Sequence, residues 1–259
     1  MPRYETAVVI PAYNEEKEIG RSLLHLATVQ PAGAETVPVV VVDNGSSDKT
    51  REVVEENRIF RELEIHLVDE PQKGTGSAVD TGFCYAIDEL GAKVIARLDA
   101  DTWPLPSWLP TLKSHHKQHT NTQLLSGPAF RRLDALERPR DIYLEDLIIP
   151  AAKRLTRLAR IAKYRNPAFV RFAPGYNMST TRRAYLETGG FPRSSMNEID
   201  EDVAYNLLVA QKFGSRAIRF ERTMQVEVSA RRQLSAGYIK AALHYASTKN
   251  RSVGQVDIR

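Results

Sequence analysis

The strongest constraint on the fold is an alternation in the first hundred residues. Short, continuous apolar runs fall at 6–10, 37–42, 64–68 and 94–98. Runs of this length suit strands buried on both faces better than helices. Between them lie stretches with helical spacing. Ile19, Leu23, Leu26 and Ala27 form one apolar face, Val53, Val54 and Ile59 part of another, and a third helix runs over 77–90. The resulting β-α-β-α-β-α-β order implies an α/β fold with a mostly parallel central sheet flanked by helices and joined by right-handed crossovers. Ligands of such sheets bind beyond the carboxyl ends of the strands. Here those ends carry Pro11 to Glu15, Asp43 to Asp48, Lys73 to Gly76 and Asp99 to Asp101. All the suggestive polar residues therefore collect on one edge.

The fourth run, Val94-Ile95-Ala96-Arg97-Leu98, ends in Asp99-Ala100-Asp101. In extended backbone, residues i and i+2 face the same side, so both carboxylates would aim at one spot. Pro104 and Pro106 would then end the strand. Paired carboxylates suit a hard divalent cation, Mn²⁺ or Mg²⁺, that holds diphosphate oxygens. The plainer alternative is a turn or helix cap. Lys73-Gly74-Thr75-Gly76 offers a lysine and a helix N-terminus to an anion. It lacks both the Walker spacing and the dinucleotide fingerprint, and an ordinary loop is the competing reading. Glu198, Asp200, Glu201 and Asp202 crowd one short segment. Acids at a helix start are favoured by its dipole without any catalytic task. That accounts for Asp200 and Glu198, and leaves Glu201-Asp202 as the place for a general base toward an acceptor hydroxyl. Arg231 and Arg232 suit a diphosphate clamp, although adjacent arginines are commonly just solvated.

The second half is less regular. Helices are expected at 105–119, 136–165 with breaks at Pro139 and Pro150, 182–188, 203–213 and 235–247, strands at 124–125, 216–220 and 224–228, and a turn with a short strand at 174–179. Gly189-Gly190 should end the 182–188 helix, and the tail after Asn250 should fray. Within 153–165 basic residues alternate with Leu155, Leu158 and Ile161. Such a helix either lies on an anionic membrane face or packs its narrow stripe and solvates the rest. At 259 residues, with 42% hydrophobic and 26% charged content, one large globular domain is expected. We divide it as 1–250, with a ligand-binding half at 1–103, an acceptor half at 104–250 and a tail at 251–259. The net charge of +4 is mild, and no basic block is interleaved with aromatics, so nucleic acid is not an expected partner. The one cysteine, Cys84, reads as a small core residue. No apolar run approaches a membrane span, and the first strand begins at once. The expected location is cytoplasmic, with a peripheral contact on the inner membrane face through 153–165 as an option.

Together these stretches resemble the inverting GT-A glycosyltransferases of family 2. The similar segments are Val9-Ile10-Pro11-Ala12-Tyr13-Asn14-Glu15-Glu16, Val42-Asp43-Asn44-Gly45-Ser46-Ser47-Asp48-Lys49-Thr50, Lys73-Gly74-Thr75-Gly76, Leu98-Asp99-Ala100-Asp101, Gly189-Gly190-Phe191-Pro192 and Glu201-Asp202, in the family's order. The resemblance implies the Rossmann-like GT-A nucleotide-diphospho-sugar transferase fold and a nucleotide-sugar donor across the first four strand ends. Pro11, Ala12, Tyr13 and Glu15 would surround base and ribose, and Asp43 would contact the nucleoside. Asn44 stands where the family often has a second aspartate, which leaves the base, uracil or guanine, open. Lys73 and Gly74 would lie near ribose or phosphates. Asp99 and Ala100 would meet the ribose, and Asp99 and Asp101 the metal. Asp202 would be the base of a single displacement. His244 is the late histidine available to a metal shell, or else a helix-packing residue. Glu201, Arg231, Arg232, Gly175, Tyr176 and Asn177 are assigned to diphosphate or acceptor. The acceptor, a small molecule or a lipid-linked glycan, would meet 133–176 and the last helix. The processive members' Gln-x-x-Arg-Trp signature and membrane helices are absent, so transfer of one sugar, UDP-linked ahead of GDP-linked, is expected. Two alternatives compete. A sugar nucleotidyltransferase would want a Gly-rich, Arg-containing loop where Pro11-Ala12-Tyr13-Asn14-Glu15 stands. A non-catalytic nucleotide-binding or membrane-surface module would keep the fold without turnover.

Overall fold

The computed structural model describes residues 4–30, 36–60, 63–132, 172–193 and 201–229. Four parallel strands form its base: β1 (Thr6–Ala12), β2 (Val39–Asp43), β3 (Ile65–Asp69) and β4 (Val94–Leu98). They are joined by α1 (Ile19–Thr28), α2 (Thr50–Phe60) and α3 (Thr75–Asp88). A three-residue strand β5 (Thr102–Pro104) follows, then α4 (Trp108–Gln118), β6 (Leu124–Ser126) and β7 (Ala129–Arg131). Beyond residue 171 come β8 (Asn177–Thr181), α5 (Arg182–Thr188), α6 (Glu201–Phe213), β9 (Ile218–Phe220) and β10 (Val226–Val228). Seven strands make one sheet in the order β3-β2-β1-β4-β8-β6-β9, and β5-β10-β7 make a second. The central sheet is parallel from β3 to β4, and β8 runs antiparallel to both β4 and β6.

Strand alternation sorts the core into two layers. Val8, Ile10, Val39 and Val41 pack with Ile19, Leu23 and Leu26 of α1 and with Trp108, Leu109 and Leu112 of α4. Ala7, Val9, Val40 and Val42 face the other way, onto Val79, Phe83 and Ile87 of α3 and Tyr205 and Val209 of α6. All five residues of β2 are buried, as a Val-rich run flanked on both sides requires. Alpha3 lies so close to the sheet that a Cβ on Gly82 would come within 2.4 Å of Val9 and 2.8 Å of Val42. Pro11 sits inside the central strand β1 without breaking it. Val8 N donates to Pro38 O on the β2 side at 2.9 Å, so Pro11, three residues on, points toward β4. There the pairing has already ended at Val9 and Arg97, and no amide hydrogen is needed.

Most expected elements appear within a few residues of their sequence positions. Alpha5 spans the expected 182–188 and ends on Gly189 in the left-handed region, φ 85°. The fourth apolar run does not continue as one strand to the prolines: β4 ends at Leu98, and the separate strand β5 is the one that stops at Pro104. Pro104 pairs with Val226 at the edge of the small sheet, where a missing donor is tolerated. The helices expected at 136–165 and 235–247, the tail, Arg231, Arg232 and His244 lie outside the described residues. Among those residues no helix is long and apolar enough to cross a membrane.

Candidate active site

The loops at the carboxyl edge are stitched to one another by side chains. Asn14, at φ 55°, accepts from Ser47 N at 2.8 Å, and its own N–H donates to Ser46 Oγ at 3.0 Å. Glu15 N donates to Thr50 Oγ1 at 2.7 Å. Asp48 accepts from Glu16 N and, at the start of α2, from Thr50 N. Burial alone would raise the Asp48 carboxyl, but the bond from Thr50 and those backbone donors hold it below its ordinary range. The β1–α1 and β2–α2 loops thus form one unit. Ala12 O accepts from Asn44 N at 2.9 Å, while Tyr13 stays half-exposed, at 52%.

Asp43 is buried, accepting from Ser46 N at 3.1 Å and pairing with Arg51 at 3.2 Å. Asn44 serves the next loop. Its Nδ2 donates to Glu70 O and Gln72 O, both at 2.8 Å, and its Oδ1 accepts from Gly74 N at 2.9 Å. Both amide hydrogens are thereby used on backbone carbonyls, and an aspartate could not supply them. Lys73 Nζ donates to Asn44 O at 3.0 Å and Gly45 O at 2.7 Å, and lies 4.2 Å from the centre of the Tyr13 ring. The lysine, two glycines and one exposed aromatic therefore occupy a single corner.

The acid turn keeps its residues but not the expected backbone. Beta4 ends at Leu98, and Thr102 N donates to Asp99 O at 3.0 Å, so 99–102 is a turn and the alternation argument does not apply there. Every carbonyl of Asp99-Ala100-Asp101 has a partner. Ser22 Oγ of α1 donates to Ala100 O at 2.6 Å. Ser229 N donates to Asp101 O at 3.3 Å, with Arg132 Nη1 at 3.4 Å. Arg132 also pairs with Glu18 at 2.6 Å and stacks 3.7 Å from the centre of Trp103. A turn tied at each carbonyl presents its side chains on fixed stalks. Asp99 remains a quarter exposed and Asp101 is nearly buried. Two such carboxylates fit a hard cation that takes one or two protein ligands and completes its shell with phosphate oxygens and water. Among the described residues no group of three His, Cys, Asp or Glu side chains stands ready as a metal set.

The residue that organises the site was not among those singled out from sequence. Arg97 is 3% exposed, within β4. Its Nη2 donates to Asp99 Oδ1 at 3.1 Å and to Glu201 Oε1 at 2.9 Å. Burial alone would lower its pKa. The charges of Asp99, Glu201 and Asp202 outweigh that and hold it above the ordinary arginine value. Its Nη1 is buried without a partner among the described residues. A Cβ on Gly175 would fall 2.5 Å from its Cζ, so only glycine lets the backbone cross there. That same Gly175 donates its N–H to Asp202 Oδ2 at 3.1 Å. The signal in the sequence was a lone charge inside an apolar run, which a buried strand holds only when paired.

Asp99, Glu201, Asp202 and Gly175 are therefore brought together, around Arg97. Tyr176 is half-buried against the first core layer. Asn177 is fully buried, its Oδ1 accepting from Trp108 Nε1 and its Nδ2 donating to Met224 O, both at 2.9 Å. It sits in the core, with both ends of its amide held by protein partners.

A parallel sheet whose fourth strand ends in a clamped acid turn, bridged by Arg97 to Glu201 at the start of a later helix, has the GT-A fold. The model for glycosyl transferase family 2 matches residues 7–188, most of the chain, and the chain belongs to that family. The acid pair at 201–202 lies beyond the matched stretch. Among curated relatives, Glycosyltransferase AglE of Haloferax volcanii is 36% identical over 104 residues, 40% of this chain and 32% of AglE. The match thus spans about a third of that relative's length. Glucosyl-3-phosphoglycerate synthase of Mycobacterium tuberculosis, solved with Mn²⁺, UDP-glucose and phosphoglyceric acid, superposes with a TM-score of 0.63 at 16% identity, covering 94% of this chain and 78% of the synthase. The mannosyltransferase PcManGT of Pyrobaculum calidifontis, solved with GDP-Man and Mn²⁺, gives 0.60 at 20% identity, covering 96% of this chain and 66% of PcManGT. At such identities the likeness is one of fold.

Proposed function

We propose that the chain is a metal-dependent, inverting glycosyltransferase that moves one sugar from a nucleotide-diphosphate sugar to an acceptor hydroxyl. The observation that carries this reading is the Arg97 bridge. One guanidinium nitrogen lies 3.1 Å from Asp99 and 2.9 Å from Glu201, which joins the acid turn to the start of α6, where Asp202 follows. A donor-side acid and the acid next to the base candidate thus meet at one cation.

In this reading Tyr13 offers its exposed ring to the base, and Pro11, Ala12, Glu15 and Asp43 surround the nucleoside. Lys73 and Gly74, at the start of α3, lie by the diphosphate. Asn44 contributes indirectly, by holding their loop. Asp99 and Asp101 would hold Mn²⁺ or Mg²⁺, which when bound supplies positive charge against the leaving diphosphate. Asp202 takes the proton of the acceptor hydroxyl as that oxygen bonds to the anomeric carbon and the bond from that carbon to the diphosphate breaks. A single displacement inverts the configuration. The Gly175 N–H fixes one oxygen of Asp202. UDP is the first nucleotide to test, as in the M. tuberculosis synthase, and GDP the second, as in PcManGT. The acceptor is a small molecule or a lipid-linked glycan.

The test is Asp202→Asn assayed for sugar transfer and for nucleotide binding. Turnover should fall by about 10²-fold or more with nucleotide affinity kept, the usual scale for a lost general base. Undiminished turnover would remove Asp202 from the role. Wild-type binding without turnover on any acceptor would favour a non-catalytic module.

A further inference from the structure

Arg193 directly follows Gly189-Gly190-Phe191-Pro192, and it binds both the loop between β3 and α3 and α3 itself. Its Nε donates to Gln72 Oε1 at 3.1 Å and its Nη1 to Thr81 Oγ1 at 2.9 Å. Its Nη2 pairs with Glu70 Oε2 at 2.5 Å and its Nη1 with Asp80 Oδ2 at 3.3 Å. Its backbone carbonyl accepts from Gln72 Nε2 at 2.9 Å. Glu70 and Asp80 are each about 5% exposed, so one guanidinium serves two buried carboxylates. Asn44 holds the same loop from its other side, through the carbonyls of Glu70 and Gln72. A continuous set of hydrogen bonds therefore runs from the end of β2, through the loop, to Arg193.

The neighbouring backbone closes on α3 at Gly76. A Cβ there would fall 2.3 Å from Pro192 O and 3.3 Å from Glu201 Cβ. Gly76 lies in the first turn of α3, and Glu201 is the first residue of α6. The second glycine of Lys73-Gly74-Thr75-Gly76 is thus explained by packing, since any side chain would press on the Pro192 carbonyl and on the first residue of α6.

Phe191, two residues before Arg193, stacks on Tyr205 of α6 with ring centres 4.2 Å apart, and we infer that Arg193 and Gly76 are positioning residues that seat the start of α6, and with it Asp202, against the loop that holds the donor. The roles of Asp202 and the loop rest on the glycosyltransferase reading. The packing does not, and the two are separable by experiment. Arginine is required for its planar fork, which meets Gln72, Thr81, Glu70 and Asp80 at once, whereas lysine keeps the charge but not the fork.

Arg193→Met, Arg193→Lys and Gly76→Ala would be compared with wild type by amide exchange, UDP titration and transfer kinetics. In Arg193→Met and Gly76→Ala, exchange at Gly175, whose N–H binds Asp202, should quicken, while the β1 peptide keeps its protection. Transfer kcat should fall by about 10-fold or more, since small misplacements of a reacting group cost on this scale, with UDP affinity within about 2-fold. Arg193→Lys should recover part of kcat. Unchanged Gly175 exchange in both variants overturns the inference, as does kcat within about 2-fold of wild type. Loss of UDP affinity equal to the loss in kcat overturns it too, because the residues would then merely shape the donor loop. Gly76→Ala keeps every charge pair and decides the matter if Arg193→Met fails to fold. A wild-type protein without transfer activity would sink the proposed function, and the exchange result would still decide the seating.

Discussion

Arg97 shows how much one buried charge can organise. Its guanidinium is enclosed by Asp99, Glu201 and the Gly175 backbone. Arg97→Met should cost about 3–5 kcal/mol in urea unfolding, because truncating one partner leaves the others desolvated and uncompensated. A loss under about 1 kcal/mol would show the bridge to be solvent-screened. His116 provides a second test, remote from chemistry. Its Nε2 lies 2.9 Å from Ser179 Oγ and its Nδ1 is buried without a partner among the described residues. Burial, followed by the neighbouring His115 charge, lowers its pKa from 6.5 to about 4. The unfolded chain therefore binds the extra proton first as the pH drops. Stability from this group is intact above about pH 6.5 and is lost progressively down to about pH 4, by up to about 3 kcal/mol. Unfolding measured at pH 7 and pH 4.5 should show a smaller loss in His116→Leu than in wild type. Equal losses would contradict the assignment.

At the scale of elements, contact distance decides which residues are replaceable. The Gly82 position of α3 lies within 2.4 Å of Val9 and 2.8 Å of Val42 for any added Cβ. Gly82→Ala should lower stability by about 1–3 kcal/mol through overpacking, although alanine is the better helix former. A gain in melting temperature would mean that α3 can shift outward freely. The same packing explains what could be read beforehand. The β1 to β4 strands and α1 to α3 helices have clean periodicities, and Gly189 marks the end of α5 unambiguously. Beta5 and β7 were not legible, since neither lies in an apolar run and their pairing comes from β10, far along the chain. The acid turn was legible in composition but not in backbone, because the bond from Thr102 N to Asp99 O overrides strand alternation. Asn177 looked available from its polar type, yet tertiary packing spends its amide on Trp108 and Met224. Arg193 gave no local sign, as its partners lie in another loop and another helix.

At the scale of the molecule, seven strands in a single sheet place four loops and the start of α6 along one edge. The site exists only because these separate pieces meet, so its first test is whether they bind one ligand together. Calorimetric titration of UDP and of GDP, each with and without Mn²⁺, into wild type and Asp101→Asn tests the central claim most directly. The account predicts binding of one nucleotide that requires Mn²⁺ in wild type and is lost in Asp101→Asn. Failure of both nucleotides to bind, or binding indifferent to the metal and to Asp101, would contradict it.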